Sequence, residues 1–135
     1  MVVVGFKKIL IGCALACAPG AGLAADVYLF NGSTWRVAAI NGEATPSTYT
    51  ISFGGGEVTG RIGCNDFGGK LKASEASLDI SQLRATSRTC GNKADEFEGA
   101  GFAVLSQPLR MEWANRDQLT LANDEGTMTL ERRLP

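Results

Sequence analysis

Cys64 and Cys90 are the residues whose chemistry is most open. They sit in "GRIGCND" (residues 60–66) and "RATSRTC" (84–90), and the other two cysteines, Cys13 and Cys17, lie near the N-terminus. A thiol nucleophile needs a depressed pKa and a nearby base. The 135-residue chain contains no histidine, which excludes Cys-His and Ser-His-Asp catalysis and removes the commonest zinc ligand. Asn65 and Asp66 offer oxygens beside Cys64, but a thiolate with such neighbours is no recognisable metal set. The expectation is therefore no catalytic thiol, no metal and no cofactor. The remaining reading is a disulfide, which closes a long loop and stabilises a small domain by about 3–4 kcal/mol. Two reduced core cysteines are its rival. A hydrolase built on Asp66 with Glu57 needs two carboxyls close together in a cleft, one with a raised pKa, and the spacing suggests neither. The enzyme reading is set aside.

The first residues read as an address. Lys7 and Lys8 precede an apolar stretch from Ile9 to Ala18, and small residues lead to Ala24 and Ala25. This is the pattern of a secretory signal peptide, and the stretch is too short to anchor in a bilayer. Residues 1–25 are assigned to it, with cleavage after Ala24 or Ala25, and 26–135 to one domain in the periplasm or secreted. A competing expectation is a lipid anchor at Cys13, in "LIGC", or at Cys17. Only then would a membrane be a partner. Cleavage leaves Cys64 and Cys90 as an even pair in an oxidising compartment, where disulfides persist. Removing Lys7 and Lys8 from the 13 basic residues leaves 11 against 14 acidic ones. A mildly acidic domain with no basic run is a poor nucleic-acid binder.

Positioning those cysteines falls to short elements. "STWRVAAI" alternates Trp35, Val37 and Ala39 against Arg36 and Ala38, then turns at Asn41-Gly42. "STYTISFGGGEVTGRIGC" reads as a hairpin turning at Gly54–Gly56, with Val58, Gly60, Ile62 and Cys64 sharing the inward face. Asn65, Gly68 and Gly69 loosen the chain before short strands at Leu71 and at Leu78 and Ile80. From Asn92 the period changes: an Asn cap, acids at Asp95, Glu96 and Glu98, and a face of Phe97, Gly101, Val104 and Leu105 predict a helix closed by Pro108. Gly99 and Gly101 weaken it by roughly 1 kcal/mol each, so packing supports it or a close contact requires them. Three alternating strands follow, in "LRMEWAN", "QLTLAN" and "TMTLERR". The fold class is α+β: a small antiparallel, partly open barrel-like sheet closed by one helix.

Gly63-Cys64-Asn65, the Thr86-x-x-x-Cys90 spacing, "WRVAAING" near the start and the closing "LTLANDEGTMTLER" resemble the META domain (HslJ-like) family. The resemblance runs from about Ser33 to Arg133. It departs from the family's usual small or apolar residues at Arg88 and Thr89. It implies a bacterial envelope protein with a small antiparallel barrel-like sheet and one helix, similar in fold to lipid-binding secretion pilot proteins. It also implies a link to heat shock or stress tolerance, and no catalytic residue. The leading expectation is a non-enzymatic protein acting through an envelope protein partner. The alternative is a lipocalin-like carrier of a small apolar ligand or lipid, with Trp35, Phe53, Met111 and Trp113 lining a cavity.

Overall fold

The computed structural model describes residues 32–74 and 76–133. The N-terminal segment, with Cys13, Cys17, Ala24 and Ala25, lies outside them, as do the export and lipidation expectations. Ten elements follow in order: β1 (Ser33–Ile40), β2 (Glu43–Ala44), β3 (Thr50–Gly54), β4 (Glu57–Ile62), β5 (Asn65–Ala73), β6 (Ser77–Ala85), α1 (Asn92–Leu105), β7 (Leu109–Asn115), β8 (Gln118–Asn123) and β9 (Gly126–Arg132).

The alternation that predicts the strands also sets which side they bury. In β1, Ser33, Trp35 and Val37 are buried and Thr34, Arg36 and Ala38 are half-exposed. In β3, Ile51 and Phe53 are buried, and in β9, Met128 and Leu130. Every pairing is antiparallel, and β9 returns to pair with β1, Met128 opposite Ile40 and Arg132 opposite Trp35. The result is a closed eight-stranded barrel with β2 as a two-residue stub on β1. Closure corrects the partly open sheet expected above. Alternation reports that one face is buried. It does not report whether the first and last strands meet.

The seams are unequal. β5 and β6 pair from Phe67–Ala85 down to Ala73–Leu78, with an irregularity between Gly68 and Lys70. β6 and β7 share only Ser77–Arg110 and Leu78–Leu109, extended by the Met111 N–H donating to the Ala76 carbonyl.

α1 caps one end of the barrel. Its buried residues are Phe97, Gly101, Val104 and Leu105, the face expected from a period of 3.6. A Cβ at Gly101 would stand 3.0 Å from Ile62 Cδ1 and 3.4 Å from Ile40 Cδ1. This glycine therefore allows the close contact, whereas Gly99 faces open space. The expected Asn cap is corrected: Gly91 occupies the N-cap, and no side chain bonds there. Of the three acids only Asp95 lies in the first turn, where it accepts the Cys90 N–H at 3.0 Å.

Two local expectations change as well. Asn65, Gly68 and Gly69 belong to a continuous strand rather than a loosened segment. Cys64 does not point into the core. β4 ends at Ile62, Gly63 takes φ +67°, and this left-handed step breaks the alternation that would have carried Cys64 inward. Cys64 is half-buried in the β4–β5 turn.

Candidate functional site

The family-like motif converges at the helix end of the barrel. Cys64 and Cys90 are joined in a disulfide, with Cα atoms 5.5 Å apart. It ties the β4–β5 turn to the residue before α1. A disulfide leaves neither sulfur as a thiolate for attack or for metal ligation. The Cys64 N–H points at Cys90 Sγ, 3.1 Å away.

Asn65 is the centre of the arrangement. It is the largest polar side chain in the buried set, with none of its surface exposed. Its Oδ1 accepts from the Thr86 hydroxyl at 2.7 Å and the Arg88 N–H at 2.8 Å. Its Nδ2 donates to the Arg88 carbonyl at 2.8 Å and to Glu98 Oε2. The two-way bond with the Arg88 backbone orients the amide, because only this setting satisfies both groups. Thr86 completes the turn by accepting the Asp66 N–H at 3.1 Å. The amide thus replaces strand partners for residues 86–90, which have left the sheet. A buried side chain with its polar atoms satisfied in this way specifies one local structure.

Gly63, Cys64, Asn65, Thr86 and Cys90 are therefore brought together around the Asn65 amide and the disulfide. The Arg88 departure costs the motif nothing. Asn65 uses only the Arg88 backbone, and its guanidinium turns outward to the Cys64 carbonyl at 2.9 Å. In the sequence Glu98 counts only as one of the acids that favour the helix start. No sequence signal joined it to Asn65, since the pair is 33 residues apart. Tyr49 packs edge-on against Phe97 at 5.9 Å. Burial pushes its phenol above the ordinary tyrosine value, and the charge of Glu98 adds to this while a backbone hydrogen bond with Gly63 opposes it.

The carboxylates considered for hydrolysis do not meet. Asp66 pairs with Arg61 at 2.9 Å and Glu57 with Lys70 at 3.6 Å, at opposite ends of the β4–β5 ladder. The Arg61 hydrogen bond holds the Asp66 carboxyl below its usual range, with the charges of Arg61 and Arg88 acting in the same direction and partial desolvation against them. A general acid would need the opposite shift.

Of the four residues considered for a cavity lining, two lie in the core and two on its margin. Trp35 and Phe53 are 0% and 1% exposed, and Met111 and Trp113 are half-buried against the same cluster. The Trp35 and Trp113 rings meet edge to face at 5.9 Å, the Trp35 Nε1–H donates to Ser33 Oγ at 3.0 Å, and the Arg132 guanidinium lies 4.4 Å over the Trp35 ring. A surface groove of about 370 Å³ runs over β4–β6 beside Gly68, Arg84 and Thr86. Neither this groove nor Arg84 was singled out in the sequence. A single exposed arginine carries no pattern.

Among the described residues no helix is long and apolar enough to cross a membrane. No curated protein matches the chain. One NMR structure of a protein is 25% identical, with a TM-score of 0.65, over 76% of this chain and 90% of that one. An NMR structure of a protein from Burkholderia xenovorans is 19% identical with a TM-score of 0.63 and all of both chains covered, which speaks to the fold alone. The META domain model matches residues 28–134, and on that match the chain belongs to the META domain family.

Proposed function

We propose that this chain is an exported, non-enzymatic protein whose META domain serves the cell envelope or stress tolerance by binding a protein partner. One observation carries the reading: Asn65 and the cysteines that mark the family spend their polar atoms and sulfurs on partners within the fold. Asn65 bonds Thr86, Arg88 and Glu98, and Cys64 bonds Cys90. Groups committed in this way build a scaffold, so the activity belongs to the surface that the scaffold presents. The carrier reading has less support, since Trp35 and Phe53 belong to the buried core cluster and Met111 and Trp113 pack against it.

The test is complementation of a deletion strain under heat and envelope stress. Folded variants Glu57→Gln, Asp66→Asn and Glu98→Gln should each restore tolerance. In parallel, a photoreactive residue at exposed Thr59, Ser81 or Glu112 should join the full chain to a discrete protein in living cells. A folded carboxylate variant that fails to complement, while crosslinking is unchanged, would point to catalysis and overturn the proposal.

A further inference from the structure

The two sulfurs of the Cys64–Cys90 disulfide stand in unequal surroundings. The Cys64 backbone N–H points at Cys90 Sγ from 3.1 Å. The Asn65 amide, whose protons go to the Arg88 carbonyl and Glu98, adds a weaker contact to the same sulfur at 3.6 Å. Cys64 Sγ receives no donor from any described residue. The charges divide as well. The Arg88 guanidinium lies on the Cys64 half, bonded to the Cys64 carbonyl at 2.9 Å. The carboxylates lie on the other half: Asp95 accepts the Cys90 N–H at 3.0 Å, and Glu98 accepts from Asn65. The Arg88 carbonyl is 3.5 Å from Cys90 Sγ.

In thiol–disulfide exchange a thiolate bonds to one sulfur and the other leaves with the electron pair, so approach and leaving group together decide which is attacked. An incoming thiolate is drawn toward Arg88 and repelled by Asp95 and Glu98, which favours attack on Cys64. Cys90 is then the leaving sulfur, and its new charge turns the Cys64 N–H contact into a charge-assisted hydrogen bond. The positive end of α1, which begins two residues on at Asn92, acts in the same direction. Asp95, Glu98 and the Arg88 carbonyl oppose it. Neither carboxylate bonds the sulfur, since Asp95 is spent on the Cys90 backbone and Glu98 on the Asn65 amide. The bond lies near the surface: both cysteines are half-buried, and residues 86–89 are exposed. Opening it leaves the Asn65 bonds to Thr86 and Arg88 in place, so the segment before α1 keeps its second restraint.

We infer that the disulfide is a thiol-exchange site of fixed polarity, opened from the folded state by a dithiol reductant. One thiolate of the reductant bonds to Cys64 Sγ, the S–S bond breaks, and its electron pair leaves on Cys90 Sγ. The reductant's second thiolate then attacks the reductant's own sulfur in the mixed disulfide and releases Cys64 as a thiolate, which takes up a proton. The chain gains two electrons, and the reductant departs as a disulfide. The chain thus has two folded forms that differ at the turn between β4 and β5 and at the start of α1. This goes beyond the binding role proposed above and does not depend on it.

The experiment takes the oxidised chain in native buffer with dithiothreitol as the reductant, quenches in acid and counts free thiols by intact mass. Exchange from the folded state predicts a rate that rises in proportion to dithiothreitol, and a reduced chain whose NMR spectrum stays dispersed. A rate that levels off at that of global unfolding overturns the inference, because the bond would then be a sealed staple. Polarity is read with excess glutathione and peptide mapping: the adduct should be on Cys64 at least tenfold more often than on Cys90. In the reduced chain, the pH dependence of alkylation should place the Cys90 thiol below the ordinary value of about 8.5 and Cys64 at or above it. Adducts shared equally between the two, or mainly on Cys90, overturn the inference, as does a Cys90 thiol that titrates above Cys64. Arg88→Gln should slow reduction by dithiothreitol several-fold and leave reduction by a neutral phosphine unchanged. Equal slowing by both reagents would mean that the arginine only holds the turn, and the charge argument for attack on Cys64 would fall.

Discussion

Replacing Asn65 with alanine removes the acceptor for Thr86 and the Arg88 N–H and the donor to the Arg88 carbonyl and Glu98. Three of these bonds are between neutral groups, at about 1 kcal/mol net each, and the one to a carboxylate is worth roughly 1.5–3 kcal/mol. Water recovers part of this, because Thr86 and Arg88 are exposed and Glu98 half-exposed. The expected loss is about 3–4 kcal/mol, against a total of roughly 5–15 kcal/mol for a domain of this kind. At about 4–8 °C per kcal/mol for a domain near 100 residues, Tm should fall by roughly 15–25 °C. The assay is thermal and urea unfolding at neutral pH followed by near-UV circular dichroism, with the disulfide left intact so that the two restraints are not confounded. Thr86→Val, which removes one of the four bonds and also the acceptor of the Asp66 N–H, should cost about 1–2 kcal/mol. A loss below about 1 kcal/mol for Asn65→Ala would refute the reasoning, because the amide would then not be what holds residues 86–90.

Cys64→Ser with Cys90→Ser opens a loop of 26 residues and should lower stability by about 3.5 kcal/mol in the chain-entropy model, measured by urea unfolding. On protein taken from its host's envelope, intact mass should give a chain starting near Asp26 that gains two alkyl groups only after reduction, and added lipid mass at Cys13 or Cys17 would redirect the localisation. Gly60 and Gly99 should respond in opposite directions. A Cβ at Gly60 would fall inside contact distance of the Thr50 carbonyl and 2.7 Å from the Phe67 ring, so Gly60→Ala should cost about 2–3 kcal/mol or more, whereas Gly99→Ala on an exposed helix face should gain up to about 1 kcal/mol. The Asp66 carboxyl, observed by NMR, should titrate below the ordinary aspartate range and move up toward it in Arg61→Gln. Because its folded value is depressed, the stabilisation from this pair is present above the unfolded aspartate pKa near 4 and fades as pH falls through the folded value.

Much of the architecture was legible because it rests on local periodicity. The inward sets Trp35–Val37, Ile51–Phe53 and Met128–Leu130 follow from alternation alone. The helix face of Phe97, Gly101, Val104 and Leu105 follows from its own period. Alternation failed where the chain departs from it. Gly63 turned Cys64 out of the inward register, and the β5–β6 register slips between Gly68 and Lys70, opposite Gln82 at φ +53°. The lone Gly60 between Val58 and Ile62 is a sequence signal of its own, since glycine inside a strand marks a close backbone approach, here to the Thr50 carbonyl and the Phe67 ring.

The sequence by itself determined the family, the absence of histidine chemistry and the set of side chains that had to be buried. Only the tertiary structure decided that β9 meets β1 and closes the barrel. It also decided that Asn65 is answered by Glu98 from 33 residues away, and that the β6–β7 pairing ends at Leu78 opposite Leu109. The physical reason is the range of the forces involved. Periodicity is set by backbone geometry within a few residues. Closure, the Asn65 contacts and the short β6–β7 seam depend on which distant segments fit against one another.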